Sequence, residues 1–318
     1  MKNKIKTVTG WIDPSQLKIT YGHEHLYTTA TEKVVSDNPA MALTDVDKIA
    51  VDLNQFKSLG GNCIVEVTTV DYGRDVKKLK QLSEMTGVFI VASGGFNKGT
   101  YNRPFLEGKD PQEVANDLIR EIRQGVGDTG ISPGILKIGT SQDVIHPWEM
   151  VGLKAVALAH KATGIPITTH TQAGSMANQQ LDGFASMGVD CSKVLIGHMD
   201  QLDDFDVHLQ CIRRGSMIGY DSLPKKKYDT EARAIDFICR LAEMNLHTHV
   251  MISGDFARQD YFAGYGGGPG LTYILSDFIL KLRDECNRRN LDAEKVVEDL
   301  LINNPRRLLV FSEDQYGH

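Results

Sequence analysis

Eight short runs of apolar and β-branched residues alternate with longer stretches in which apolar residues return every third or fourth position. That alternation predicts an α/β fold built as one parallel (β/α)8 TIM barrel. The length of 318 residues agrees with it, because such a barrel takes about 250 residues and tolerates insertions. A third observation is that His23, His25, Lys137, His170, His198 and Asp255 all fall in or at the ends of these runs. In a (β/α)8 barrel the C-terminal strand ends form one mouth, so residues scattered over 230 positions would meet there.

The expected strands cover residues 17–25, 62–68, 88–93, 135–140, 165–171, 193–198, 216–221 and 250–255. Between them lie amphipathic stretches such as PQEVANDLIREIRQGV and EARAIDFICRLAEMN, read as outer helices with charges facing solvent. Glycine or proline precedes several runs, as in SPGILKIGTS and TGIPITTH, where a turn feeds the barrel floor. After the eighth run, YGGGPG leads into an amphipathic helix, LTYILSDFILKLRDECNRR, and then a closing helix, DAEKVVEDLLINNPRRLLVF, that Pro305 is expected to stop. No linker or low-complexity segment divides the chain, so residues 1–318 are read as a single domain.

Composition narrows the function. Hydrophobic residues make up 41% and charged residues 24%, the balance of a globular protein. A net charge of −6 argues against a nucleic-acid footprint, which needs clustered basic excess. The N-terminal MKNKIKTVTGW lacks an apolar leader core and no run reaches the length of a membrane span, so a cytoplasmic protein without membrane contact is expected. Cys63, Cys191, Cys211, Cys239 and Cys286 are odd in number and form no C-x-x-C pair, and read as reduced, mostly buried thiols.

The chemistry begins with TYGHEHL. Residues two apart on a strand project to the same face, so His23 and His25 can share one ion. His170 and His198, ending the fifth and sixth runs, and Asp255, ending the eighth, supply further ligands. Lys137 is anomalous, since an ammonium with a pKa of about 10.4 repels cations. Converted by carbon dioxide to a carbamate, it becomes an anion with two oxygens that can bridge two ions. His146, His160, His208, His247, His249 and His318 lie in helical or loop stretches or at the wrong strand end, and read as structural or solvated.

On GHEHL, ILKIGTS, THTQAG, IGHMD and SGDFAR, the chain resembles the phosphotriesterase family of the amidohydrolase superfamily. The resemblance implies a binuclear metal-dependent hydrolase. His23, His25 and Asp255 would hold the more buried divalent ion, His170 and His198 the more exposed one, and a carbamylated Lys137 both. Zinc is the expected metal, with manganese or cobalt also suited to these ligands. Two such ions lower the pKa of a shared water and generate a hydroxide nucleophile. Asp255 is the candidate catalytic residue for moving the proton to the leaving oxygen, with His198 and Asp200 as assistants.

Substrate choice is read from the loops after the seventh and eighth strands. SLPKKKYD supplies Lys225, Lys226 and Lys227, and FARQDYFAGYGGGPG supplies Arg258, Tyr261 and Tyr265. Arginine offers a planar fork for phosphate and tyrosine a phenolic donor. The basic pattern is similar to family members that hydrolyse phosphorylated sugar lactones, and that resemblance assigns the phosphate to Lys227, Arg258 and Tyr261. The expected activity is a lactonase acting on a phosphorylated furanose lactone, such as a pentono-1,4-lactone 5-phosphate. The alternative is a hydrolase of neutral organophosphate esters or acyl-homoserine lactones; its homoserine-lactone form is weakened because SGGFNKGTY carries Phe96 and Asn97 where many lactonases of the family place a tyrosine. Asn97 is a candidate contact for sugar hydroxyls. Barrels of this kind are often homodimers, but no exposed apolar stripe in the sequence marks an interface.

Overall fold

The computed structural model describes residues 3–225 and 227–312. Eight parallel strands run side by side in chain order: β1 (Ile19–Glu24), β2 (Gly61–Glu66), β3 (Phe89–Gly95), β4 (Ile135–Thr140), β5 (Ile167–Thr171), β6 (Val194–Ile196), β7 (Met217–Tyr220) and β8 (Val250–Ile252). Every neighbouring pair from β1 to β8 is in parallel register. The seam between β8 and β1 is closed just past the strand ends. There the Asp255 N–H donates to the His23 carbonyl at 3.1 Å, and the Glu24 carboxylate accepts from the Gly254 and Phe256 N–H groups at 2.6 and 2.8 Å. The expected (β/α)8 barrel is therefore present.

The helices form because each has a polar start and one apolar face. Asp45, Asp75, Asp110 and Asp204 cap the helices Val46–Ser58, Val76–Thr86, Pro111–Gln124 and Phe205–Arg213 by accepting from N–H groups of their first turns. Their apolar faces pack on the barrel's outer surface, whereas Cys63, Val65, Val91, Ile135, Leu195, Met217 and Met251 point inward and fill its lower half. Alternation along a strand decides which residue goes where: Cys63 and Val65 belong to the inner cluster and Ile64 to the outer one.

Two features differ from expectation. The barrel floor is plugged by a small antiparallel sheet in which Asn3–Thr7 pairs with Gly10–Ile12 and with Phe311–Ser312; Ile5 and Ile12 join the inner cluster beside Leu308 and Leu309. Pro305 does not stop the closing helix, which continues over Asn304–Leu309. The turn before it, Asp299–Asn303, is π-helical, and Pro305 enters the next segment near its start, where its missing N–H is not required. Among the described residues no helix is long and apolar enough to cross a membrane.

Candidate metal centre and substrate cavity

The strand ends bring the six candidate ligands to the bottom of one cavity of about 260 Å³. His23 and His25 leave β1 on the same face, with ring centroids 6.2 Å apart. Asp255 closes a triad with them: its Oδ1 lies 3.8 Å from His23 Nε2 and 3.5 Å from His25 Nε2. On the other side, His198 Nε2 lies 2.7 Å from His170 Nδ1. The His23 and His198 rings, 4.8 Å apart, join the two groups. His198 and Asp255 both adopt positive φ, 61° and 46°, a strained conformation for residues with a Cβ that concentrates at functional sites.

His25 and His198 are held from behind. His25 Nδ1 lies 2.7 Å from Thr68 Oγ1, which in turn donates to Glu66 at 2.5 Å. His198 Nδ1 lies 2.6 Å from Asp221 Oδ1, and the Asp221 carboxylate also accepts the His198 backbone N–H at 3.0 Å. Asp221 Oδ2 is 3.6 Å from His23 Nδ1, so one fully buried carboxylate faces a histidine of each group. Gly197 makes this packing feasible, since a Cβ there would stand 2.4 Å from the Thr169 carbonyl and 3.3 Å from Asp221 Oδ2. Asp200 does not line the cavity. It accepts the Asp221 and Ser222 N–H groups at 3.3 and 3.0 Å, so it shapes the β7 loop instead of assisting at the reacting atoms as expected.

The donor set fits divalent ions. Both ring nitrogens of His23 are buried without a hydrogen-bond partner, an arrangement costly for a polar group unless something else occupies it. Burial, with Lys137 nearby, holds His25 down at about 3, so its imidazole stays neutral and able to ligate. Burial also lowers the Lys137 amine, partly opposed by Asp255, and its Nζ has no hydrogen-bond or ion-pair partner among the described residues. A buried amine of lowered pKa is the form that reacts with carbon dioxide. Burial alone would raise the Asp255 carboxyl, yet Lys225, His198 and His25 around it bring it down to about 2.

The wall above this floor is cationic on the β7 and β8 side. Lys225, Lys227, Arg258 and Tyr261 all line it, while Lys226 lies outside the described residues. The three lysines of the loop are not equivalent. Lys225 is 5% exposed and pairs with Asp255, while Lys227 is exposed and its Nζ lies 4.4 Å from the Tyr228 ring. Arg258 lies over the Tyr261 ring at 5.5 Å and forks onto Asp260 at 3.0 and 2.5 Å. Tyr265 faces away from the cavity; its hydroxyl accepts the Asp45 N–H at 2.9 Å. The β8 loop is pinned from outside by Asp52, which accepts the Ala263 and Gly264 N–H groups at 3.0 and 2.9 Å. Asn97 lines the opposite wall, as do Lys98, Tyr72 and Tyr101, none of which the sequence reading singled out.

Of the other histidines, His160 lies against the Ile165 carbonyl, His208 against the Tyr220 hydroxyl, His247 against Asp299 and His249 against the Ser216 carbonyl, all away from the cavity. His146 stacks on Trp148 with ring centroids 4.3 Å apart, and His318 lies outside the described residues. The five cysteines are free thiols, four of them buried.

Comparison with known proteins agrees with this architecture. Residues 3–309 match the model of the phosphotriesterase family. The crystal structure of a lactonase from Listeria monocytogenes superposes with a TM-score of 0.93 at 33% identity, covering 98% of this chain and 100% of that one. The phosphotriesterase homology protein of Escherichia coli is 32% identical over 265 residues, 83% of this chain and 90% of that protein. Its structure, with phosphate in the active site, gives a TM-score of 0.87 at 30% identity over 94% of this chain and all of that one. A phospho-furanose lactonase from Mycoplasmopsis synoviae is 26% identical over 336 residues, 98% of this chain and 94% of that protein. The chain belongs to the phosphotriesterase family.

Proposed function

We propose that this hydrolase of the phosphotriesterase family is a lactonase that opens a phosphorylated furanose lactone, such as a pentono-1,4-lactone 5-phosphate. The observation that carries the reading is the cavity's division into a floor of histidines, Asp255 and Lys137 and a wall of Lys225, Lys227, Arg258 and Tyr261. A lactone needs the first and a phosphate the second. Relatives named lactonase and phospho-furanose lactonase, and a relative holding phosphate in its active site, support it.

His23, His25 and Asp255 would hold one divalent ion, His170 and His198 a second, and Lys137, as its carbamate, would touch both; zinc, manganese and cobalt suit this set. When bound, such ions would supply Lewis acidity, lowering the pKa of the attacking water and polarising the acyl oxygen. The water oxygen adds to the acyl carbon and the ring C–O bond breaks. Asp255 takes one proton of the water and hands it to the leaving ring oxygen, which becomes a hydroxyl, while the acyl group becomes a carboxylic acid that loses the water's second proton to solvent as a carboxylate. Lys227, Arg258 and Tyr261 hold the phosphate as a handle, and Asn97 faces the sugar hydroxyls.

Substituting Arg258 with Ala tests the handle. A charge-assisted contact contributes about 1.5–3 kcal/mol. Arg258 surrenders part of that on leaving Asp260, so KM for the phosphorylated lactone is expected to rise about 10- to 30-fold with kcat nearly unchanged. An unchanged KM removes Arg258 from the handle.

A further inference from the structure

Among the described residues Lys98 is a cation of the cavity wall with no hydrogen-bond or ion-pair partner for its side chain, and it is not part of the metal-ligand set or the phosphate handle. It follows β3 and lines the cavity with Asn97 on the wall away from Lys225, Lys227 and Arg258. In an eight-stranded barrel closed between β1 and β8, β3 and β7 stand on opposite sides. Lys98 precedes the helix Gly99–Leu106, yet its side chain makes no capping bond, and it has no hydrogen bond or ion pair among the described residues. The carboxylates within its reach are committed elsewhere. Glu149 accepts from the Gly99 N–H at 2.8 Å, the Ser141 hydroxyl at 2.8 Å and the His146 N–H at 2.9 Å, and Asp255 is taken by Lys225.

The backbone that carries Lys98 is rigid. Asp71 grips the Asn97 N–H with both oxygens, at 3.0 and 2.9 Å, and the Asn97 carbonyl accepts from Asn102 Nδ2 at 2.7 Å and the Gly139 N–H at 3.1 Å. Gly139 also fixes its position. A Cβ on that glycine would stand 2.9 Å from Lys98 Cβ and 3.1 Å from His170 Cβ, so the two side chains leave the backbone as neighbours. A half-buried lysine on a fixed backbone, beside His170 and with its ammonium unpaired among the described residues, is arranged for an oxygen anion brought by a ligand.

We infer that Lys98 is a specificity-determining residue that donates to the acyl oxygen of the lactone and, after ring opening, to the new carboxylate. The inference rests on the phosphorylated-lactone reading and orients that substrate across the mouth, with the phosphate at Arg258 and the acyl end at Lys98. Recognition is then two-ended, which favours a short lactone with an anionic group at its far end over a long acyl chain.

The test uses the full-length, metal-loaded protein and calorimetric titration with two kinds of probe: pentonate 5-phosphates, which carry carboxylate and phosphate, and the matching pentitol 5-phosphates, which carry phosphate alone. Lys98→Met is expected to weaken pentonate phosphate binding on the order of 10- to 100-fold while leaving pentitol phosphate binding and bound metal unchanged. Lys98→Arg, which keeps the charge, is expected to recover part of the loss and serves if the methionine variant does not fold. Arg258→Ala is expected to weaken both probes alike. Equal weakening of both probes by Lys98→Met, or none, overturns the role of Lys98 while the handle stands. Failure of the unmodified protein to bind either probe overturns the phosphorylated-lactone reading and this inference with it.

Discussion

Replacing Asp221 with Asn alters one atom of a fully buried side chain that groups with His23 and His198, and should weaken metal binding while leaving in place the ligands proposed for both ions. In the structure this carboxylate meets His198 Nδ1 at 2.6 Å and the His198 N–H at 3.0 Å, and faces His23 Nδ1 at 3.6 Å. An amide cannot satisfy that set, because either orientation turns its NH2 toward a group that must donate. The charge-assisted bond to His198 contributes about 1.5–3 kcal/mol, and losing such a support behind a ligating histidine typically costs about 10- to 100-fold in metal affinity. Asp200, which burial and the Asp221 charge push up to about 7, should titrate lower in the variant. The assay equilibrates metal-free protein with zinc against a chromophoric chelator and compares the dissociation constants. A variant that stays folded and binds zinc within twofold of the unmodified protein would refute the claim that Asp221 supports the metal site through His198.

Three further outcomes are expected. Asp260→Asn frees the Arg258 fork from an exposed pair worth at most about 1 kcal/mol, so KM for a phosphorylated lactone should fall a few-fold; a rise would show that Asp260 positions Arg258 instead of competing for it. Burial pushes the Asp71 carboxyl up to about 6, so between its unfolded pKa of about 3.9 and 6 the folded state holds the extra proton. Stability from this group is therefore lost as pH rises through that window, on the order of 3 kcal/mol in all, and urea denaturation of metal-free Asp71→Asn should lack that share of the slope. Asp52→Ala leaves the Ala263 and Gly264 N–H groups unpaired, and urea denaturation should show a loss of about 2–4 kcal/mol, together with faster proteolysis of the β8 loop.

The strand order and the six candidate ligands were legible because their signals are local and periodic: a two-residue spacing in GHEHL, a lysine inside the apolar run ILKIGT, and His170, His198 and Asp255 ending theirs. Asp221 is the acid ending SMIGYD, but its role depends on His198, 23 positions away, and nothing local in the sequence marks that pairing. The lysines of PKKKY look alike in sequence, and only the loop's path buries Lys225 while leaving Lys227 exposed. Lys98 gave no signal because nothing in FNKGT shows that its neighbours are already paired. The floor sheet was hidden for a topological reason: Asn3 and Lys4 pair with Ser312 and Phe311 at the far end of the chain, and short strands with remote partners carry no periodic mark. Pro305 misled because its effect depends on whether an N–H is needed there, which the preceding π-helical turn decides.

The central claim is that one cavity reads both a lactone and a phosphate. Its most direct test is hydrolysis of a panel of furanose lactones, each with and without a terminal phosphate, by zinc- or manganese-loaded protein, with acid release followed by a pH indicator. Turnover confined to the phosphorylated lactones is the predicted result. Equal or faster turnover of unphosphorylated lactones, acyl-homoserine lactones or neutral organophosphate esters would contradict the phosphate assignment.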